Sequence, residues 1–159
     1  MSSLPPCPAV PVSWGELLDK ITILEIKADR IAAPAKRANV LRELSVLARV
    51  ALGVRGIGGL AQLVFRLKAV NRELWEIEDA IRLEEARGRF GAEFVRLARA
   101  VYFTNDRRAE IKREINGLLG SALVEEKSYA GAEANSSVPP ELVEGLVRAE
   151  REPAPLRPR

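Results

Sequence analysis

A set of charged and amide side chains stands on helix faces where this sequence is expected to be apolar, and any chemistry the chain performs must start from them. A helix advances about 100° per residue. With Val101 as origin, Arg108 falls within about 20° of the centre of the local apolar sector, and Asn105, Lys112 and Asn116 follow its edge. Asn71 and Glu78 lie one heptad apart beside Leu67, Leu74 and Ile81, with Arg82 one turn further and Trp75 alongside. Lys20 and Lys27, again a heptad apart, flank one side of an earlier stripe and Glu25 the other. An unpaired buried charge costs several kcal/mol. Such groups therefore snorkel to solvent, pair with one another, as Glu78 with Arg108 to set helix register, or converge on a wet cleft. A cleft shared by Lys20, Asn71, Glu78, Arg82, Asn105, Arg108 and Lys112 would hold four cations against one or two carboxylates and suit a phosphate or carboxylate ligand.

Carboxylate spacing offers a second chemistry. Glu16 and Asp19 form an ExxD pair, and Glu73, Glu76 and Asp79 an ExxE overlapping an ExxD. This resembles the magnesium-holding pairs of all-α nucleoside-triphosphate pyrophosphohydrolases, while the cationic set resembles, in kind though not in register, the dicarboxylate site of all-helical chorismate mutases. Glu73 and Glu76 point away from their apolar stripe, where solvated charge is the ordinary role of acidic residues. With no histidine in the chain, imidazole metal sites, histidine bases and Ser-His triads are excluded. Cys7 is the single cysteine, so neither an internal disulfide nor a cysteine-based zinc site forms. The glycines of 53–59 lack the Lys-Ser/Thr of a phosphate loop and follow a helix rather than a strand. No motif identifies a cofactor, which is left unknown.

Composition sets the frame for these residues. Of 159 residues, 47% are hydrophobic and 30% charged, the balance of a globular domain, and aromatics at 5% leave a Leu/Ala/Ile/Val mixture that favours helices. The net charge of +3 is small, and Arg148, Arg151, Arg157 and Arg159 lie in the C-terminal stretch, so the charge does not argue for nucleic acid. The N-terminal segment lacks the basic and apolar regions of a secretory signal, and no run approaches the roughly 18 apolar residues of a membrane span. A cytoplasmic protein is expected.

Nine of the ten prolines fall before residue 12 or after residue 138, which delimits a helical domain over 13–129, a disordered leader over 1–12 and a flexible tail over 130–159. Within the tail, 141–151 has the pattern of one short helix. Ser13 and Glu16 form a capping box, and Leu17, Ile21, Leu24, Ala28 and Ile31 carry the first helix to Pro34. A second helix over 35–51 has Val40, Leu44, Leu47 and Ala51 as its stripe. The third steps from Leu63 to Ile81 and ends near 86. The fourth runs from Phe94 to Leu118, with Gly120 as its cap. Short turns predict antiparallel, coiled-coil-like hairpins in an all-α fold of about four helices.

Four blocks, GELLDKITILEIK (15–27), NRELWEIEDAIR (71–82), TNDRRAEIKREIN (104–116) and GSALVEEKSY (120–129), together resemble a small bacterial family of uncharacterised helical domains. The resemblance spans nearly the whole ordered part. It implies the fold and carries no activity with it. The blocks contain most of the polar interruptions, and the last of them, with Lys127 and Tyr129, reads as a strap that folds back over the bundle. The expectation is a binding or protein-interaction module with an interhelical polar cluster, its partner a protein or an anionic small molecule and its second helix a candidate contact between copies. The alternative is a small enzyme acting on a phosphorylated or carboxylated metabolite through the same cluster.

Overall fold

The computed structural model describes residues 8–123, 125 and 126. Four α-helices follow one another: α1 (Trp14–Arg30), α2 (Pro34–Ala51) with a single 3-10 turn after it (Leu52–Val54), α3 (Leu60–Ala86) and α4 (Ala92–Leu119). Among the described residues there is no strand, so the all-α class stands. Residues 1–7 of the leader, the 141–151 segment, Lys127 and Tyr129 lie outside the described residues.

The helix ends follow from local chemistry. Ser13 caps α1, its hydroxyl accepting the Glu16 N–H at 3.2 Å. The expected return bond from the Glu16 carboxylate to the cap is replaced by a cation on another helix. Pro34 does not stop α1. That helix ends at Arg30, Ile31 turns extended, and Pro34 occupies the first turn of α2, where a missing N–H costs nothing. Gly88 and Gly120 close α3 and α4 with φ of 63° and 61°. In each case the next residue's N–H reaches back five residues, Arg89 to the Glu84 carbonyl and Ser121 to the Asn116 carbonyl, both at 2.9 Å, which is the Schellman arrangement.

The described residues divide into two compact units. The first holds α1, α2, α3 as far as Glu76 and α4 from Thr104, and continues to Glu125. Its core joins Leu17, Leu18 and Ile21 of α1 to Leu67, Val70 and Leu74 of α3 and to Ile111 and Ile115 of α4, with Ala51, Val54 and Leu60 closing one end. Cross-helix pairs fix the directions. Arg66 meets Glu114 and Glu73 meets Arg107, so α3 and α4 are antiparallel; Lys20 meets Glu43 and Arg37 meets the Ala28 carbonyl, so α1 and α2 are too. The stripe of α2 is engaged internally: Leu44 and Leu47 pack on the core and Ala51 is buried. The second unit is the helical hairpin Ile77–Phe103, with a small core of its own, Ile77, Leu97 and Ala100.

Helix α1 is more deeply embedded than a single stripe predicts. Besides Leu17, Ile21, Leu24 and Ala28, it buries Leu18, Asp19, Thr22 and Ile26. Its first turn approaches α4 so closely that only glycine fits at position 15. A Cβ there would stand 2.7 Å from the Lys112 carbonyl oxygen and 2.9 Å from Asn116 Oδ1. Replacing glycine by alanine in an open helix gains up to about 1 kcal/mol; here the sign should reverse. Gly15→Ala is expected to lower stability by about 1–3 kcal/mol, read as a fall in the thermal midpoint of the helical circular-dichroism signal. Gly53→Ala, with nothing within 4 Å of the added methyl, should change stability by less than about 0.5 kcal/mol. Equal responses from the two variants would contradict the close approach.

Candidate functional site

Three polar assemblies sit inside the first unit. The first joins the start of α1 to the end of α4. A helix begins with N–H groups that have no intrahelical partner, and here side chains take them in turn. Trp14 N–H donates to Ser121 Oγ at 2.9 Å, Gly15 N–H to Asn116 Oδ1 at 2.7 Å, and Glu16 N–H to the cap. Directly beside this junction the Lys112 ammonium lies between two carboxylates, 2.5 Å from Glu16 Oε1 and 2.6 Å from Glu125 Oε2. Its side chain is only 7% exposed. Burial alone would push its pKa down, but hydrogen bonds to Glu125 and Glu16, with the Coulombic attraction of both carboxylates, outweigh that and hold it above the ordinary lysine value.

The second assembly is Asp19, Thr22 and Asn71, all buried. Asn71 Nδ2 donates to Asp19 Oδ1 at 2.8 Å and to Thr22 Oγ1 at 2.9 Å, and the Thr22 hydroxyl donates to the Asp19 carbonyl at 2.9 Å. Four bonded atoms thereby fix the rotation of α1 against α3. In the third, Glu73 on α3 accepts from the Arg107 guanidinium and, at 3.3 Å, from the Thr104 hydroxyl, tying α3 to α4.

The residues singled out by sequence separate on this frame. Asn71 and Lys112 are buried, and Lys27, Asn105 and Arg108 are half-buried. Lys20 is exposed and pairs with Glu43 at 3.2 Å. Glu78 is not an inward-facing carboxylate. It is exposed and pairs with Arg82 one turn away at 3.7 Å, within the second unit. The reason is angular: Ile77 and Ile81 take the core-facing arc of that part of α3, and Glu78, one residue beyond Ile77, is turned about 100° from it. Nor do the carboxylate pairs converge on a metal. Glu16 is engaged by Lys112, Asp19 by Asn71, Glu73 by Arg107 and Glu76 by Arg30. No group of three metal-ligating side chains comes together among the described residues.

Sequence reasoning passed over Thr22, Thr104 and Ser121, and read Asp19 only as half of a metal pair. A signal for the first existed. The run Ile21-Thr22-Ile23-Leu24-Glu25-Ile26 is too apolar for a helix with one buried face, which leaves room for one of its two polar residues on a buried face. Glu125 was legible as part of a strap, and it pairs with Lys112 of α4.

The charge on Lys112 has a measurable consequence. A lysine whose folded pKa exceeds its unfolded value contributes stability that is complete below the unfolded value, about 10.4, and is lost as pH rises through the higher folded one. Wild type should therefore exceed Lys112→Met in unfolding free energy at pH 8, with the gap narrowing above roughly pH 10.5. Urea unfolding of both proteins at several pH values reads this directly, and a gap that stays constant into strong alkali would contradict the assignment.

No curated protein and no solved structure is significantly similar to this chain. Residues 9–142, which cover all four helices, match a family of unknown function, and the chain belongs to that family, DUF6165.

Proposed function

We propose that the chain is a helical protein-interaction module. The observation that carries this reading is the distribution of polar and apolar side chains. Three of the four cations that would form an anion site are already engaged by carboxylates: Lys20 by Glu43, Arg82 by Glu78, and Lys112 by Glu16 and Glu125 together. Around Lys112 two negative charges face one positive, a surplus that repels phosphate. Large apolar side chains, by contrast, are left in water. Phe65 is 74% exposed, and within the hairpin Ile77–Phe103 the residues Leu83, Phe90, Val95 and Tyr102 all stand at about half exposure or more. Single exposed apolar residues are ordinary, but several on one short hairpin are the mark of a surface that meets another.

A second reading rests on Arg108 and Lys27. Both are half-buried, and neither forms an ion pair among the described residues. Two such cations in the first unit would serve a small anionic metabolite, and with it a small enzyme.

The two readings separate in a thermal-shift series with phosphate, pyrophosphate, nucleotides, sugar nucleotides and citrate, on wild type and Arg108→Ala. The interaction module predicts no saturable stabilisation by any of these anions beyond the general effect of ionic strength. A saturable shift that Arg108→Ala removes would overturn it in favour of the metabolite site.

A further inference from the structure

The hairpin of the second unit has more apolar surface than it can cover. It contains ten large apolar or aromatic side chains between Ile77 and Phe103, and of these only Ile77 and Leu97 are buried. Two helices packed on one another have a single shared face, so a core this small is what a lone hairpin can achieve. Phe90 and Phe94, stacked edge to face with centroids 5.3 Å apart, place an aromatic pair at its turn, and Phe90 is 59% exposed. Rigid aromatic groups of this kind act as anchors at interfaces.

Charge is partitioned across the same hairpin. Its α3 segment carries Glu78, Asp79, Glu84 and Glu85 against Arg82 alone, a net charge of −3. The turn and α4 segment carry Arg87, Arg89, Arg96 and Arg99 against Glu93 alone, a net charge of +3. This opposes the helix dipoles, since Glu84 and Glu85 lie in the last turn of α3 and Arg87 and Arg89 stand just ahead of α4. Internal pairing absorbs part of it: Glu84 takes Arg87 at 3.6 Å and Arg89 at 3.9 Å, and Arg96 takes Glu93 at 2.7 Å. Asp79 and Glu85 form no ion pair among the described residues, and Arg99 lies over the Phe103 ring at 6.0 Å.

From this we infer that the hairpin Ile77–Phe103 is a self-association surface and that its partner is the same hairpin of a second copy, an inference that rests on the interaction-module reading and names its partner. A two-fold axis along the hairpin sets the acidic segment of each copy over the basic segment of the other, twice, in a four-helix arrangement. The net charge of the hairpin is zero, so no overall repulsion opposes the contact. A partner of uniform charge would satisfy one helix and repel the other.

The test is the mass of the full chain in solution, by sedimentation equilibrium over a concentration series, for wild type and two charge variants. Asp79→Lys with Glu85→Lys makes both helices of the hairpin basic; Arg89→Glu with Arg99→Glu makes both acidic. Wild type is expected to approach twice the chain mass, each variant alone to remain at the single-chain mass, and an equimolar mixture of the variants to recover the doubled mass. Circular dichroism establishes that each variant is helical, and wild type decides the matter by itself should either fail to fold. A wild type that stays at single-chain mass overturns the inference, as do variants that associate as wild type does. Neither result touches the interaction-module reading, which falls only on a saturable, Arg108-dependent anion shift.

Discussion

Helix α1 can lie in the first unit only because its opening turn fits against α4 without a side chain at position 15. With the added Cβ 2.7 Å from a backbone oxygen, any other residue would push the two helices apart. The approach puts the unsatisfied N–H groups of α1 next to α4, and Ser121 and Asn116 accept two of them. Neither acceptor would matter at ordinary interhelical separation, where water completes the helix end. Ser121 is held by its own N–H on the Asn116 carbonyl, which requires the left-handed Gly120. The glycine that ends α4 and the glycine that begins α1 are thus two parts of one junction.

Once that junction is fixed, the remaining polar contacts gain their consequence from burial. Exposed pairs such as Arg66 with Glu114 contribute at most about 1 kcal/mol each and specify little. Asp19, Thr22 and Asn71 differ because they are shielded from water. Loss of the Asn71 amide would leave a buried carboxylate without its donor, a defect of about 1–3 kcal/mol or more. The same contacts exclude slippage: turning α1 by one residue would carry Asp19 about 100° away from its donor and bring Leu18 or Lys20 to it. Apolar packing alone discriminates such registers weakly, since leucine and isoleucine fit many holes.

Elements were legible where the chemistry is local. The serine cap, the step pattern of α3 and the glycine at 120 all act within a few residues of themselves, and the structure places them as the sequence does. The polar cluster was legible only in part, because a helical wheel gives a direction and not a neighbour. Asn71 and Lys112 point inward as their angles require. Glu78 lies close in angle to Asn71 on the extended wheel, yet it is exposed, because the apolar arc in its part of α3 is set by Ile77 and Ile81. The partners of Lys112 were equally out of reach. Glu16 reads as a capping-box acid until a buried ammonium competes for it, and an ion pair with a desolvated cation outweighs a second bond to a cap that already has one.

Helix lengths connect this architecture to function. α1 and α2 have 17 and 18 residues, α3 and α4 have 27 and 28. Four helices of equal length could bury one another along their whole extent. Here two are longer by about three turns, and Ile77–Phe103 draws its helical residues from that surplus. Extra length of this kind is hard to explain as stability, because the hairpin adds three buried apolar residues while ordering more than twenty, and ordering the backbone costs about 1–2 kcal/mol per residue. Burying ten large side chains would change that balance, but the hairpin alone buries two of them. A surface that covered the exposed ones would supply that burial, and the opposed charges of the hairpin's two segments restrict which surfaces qualify.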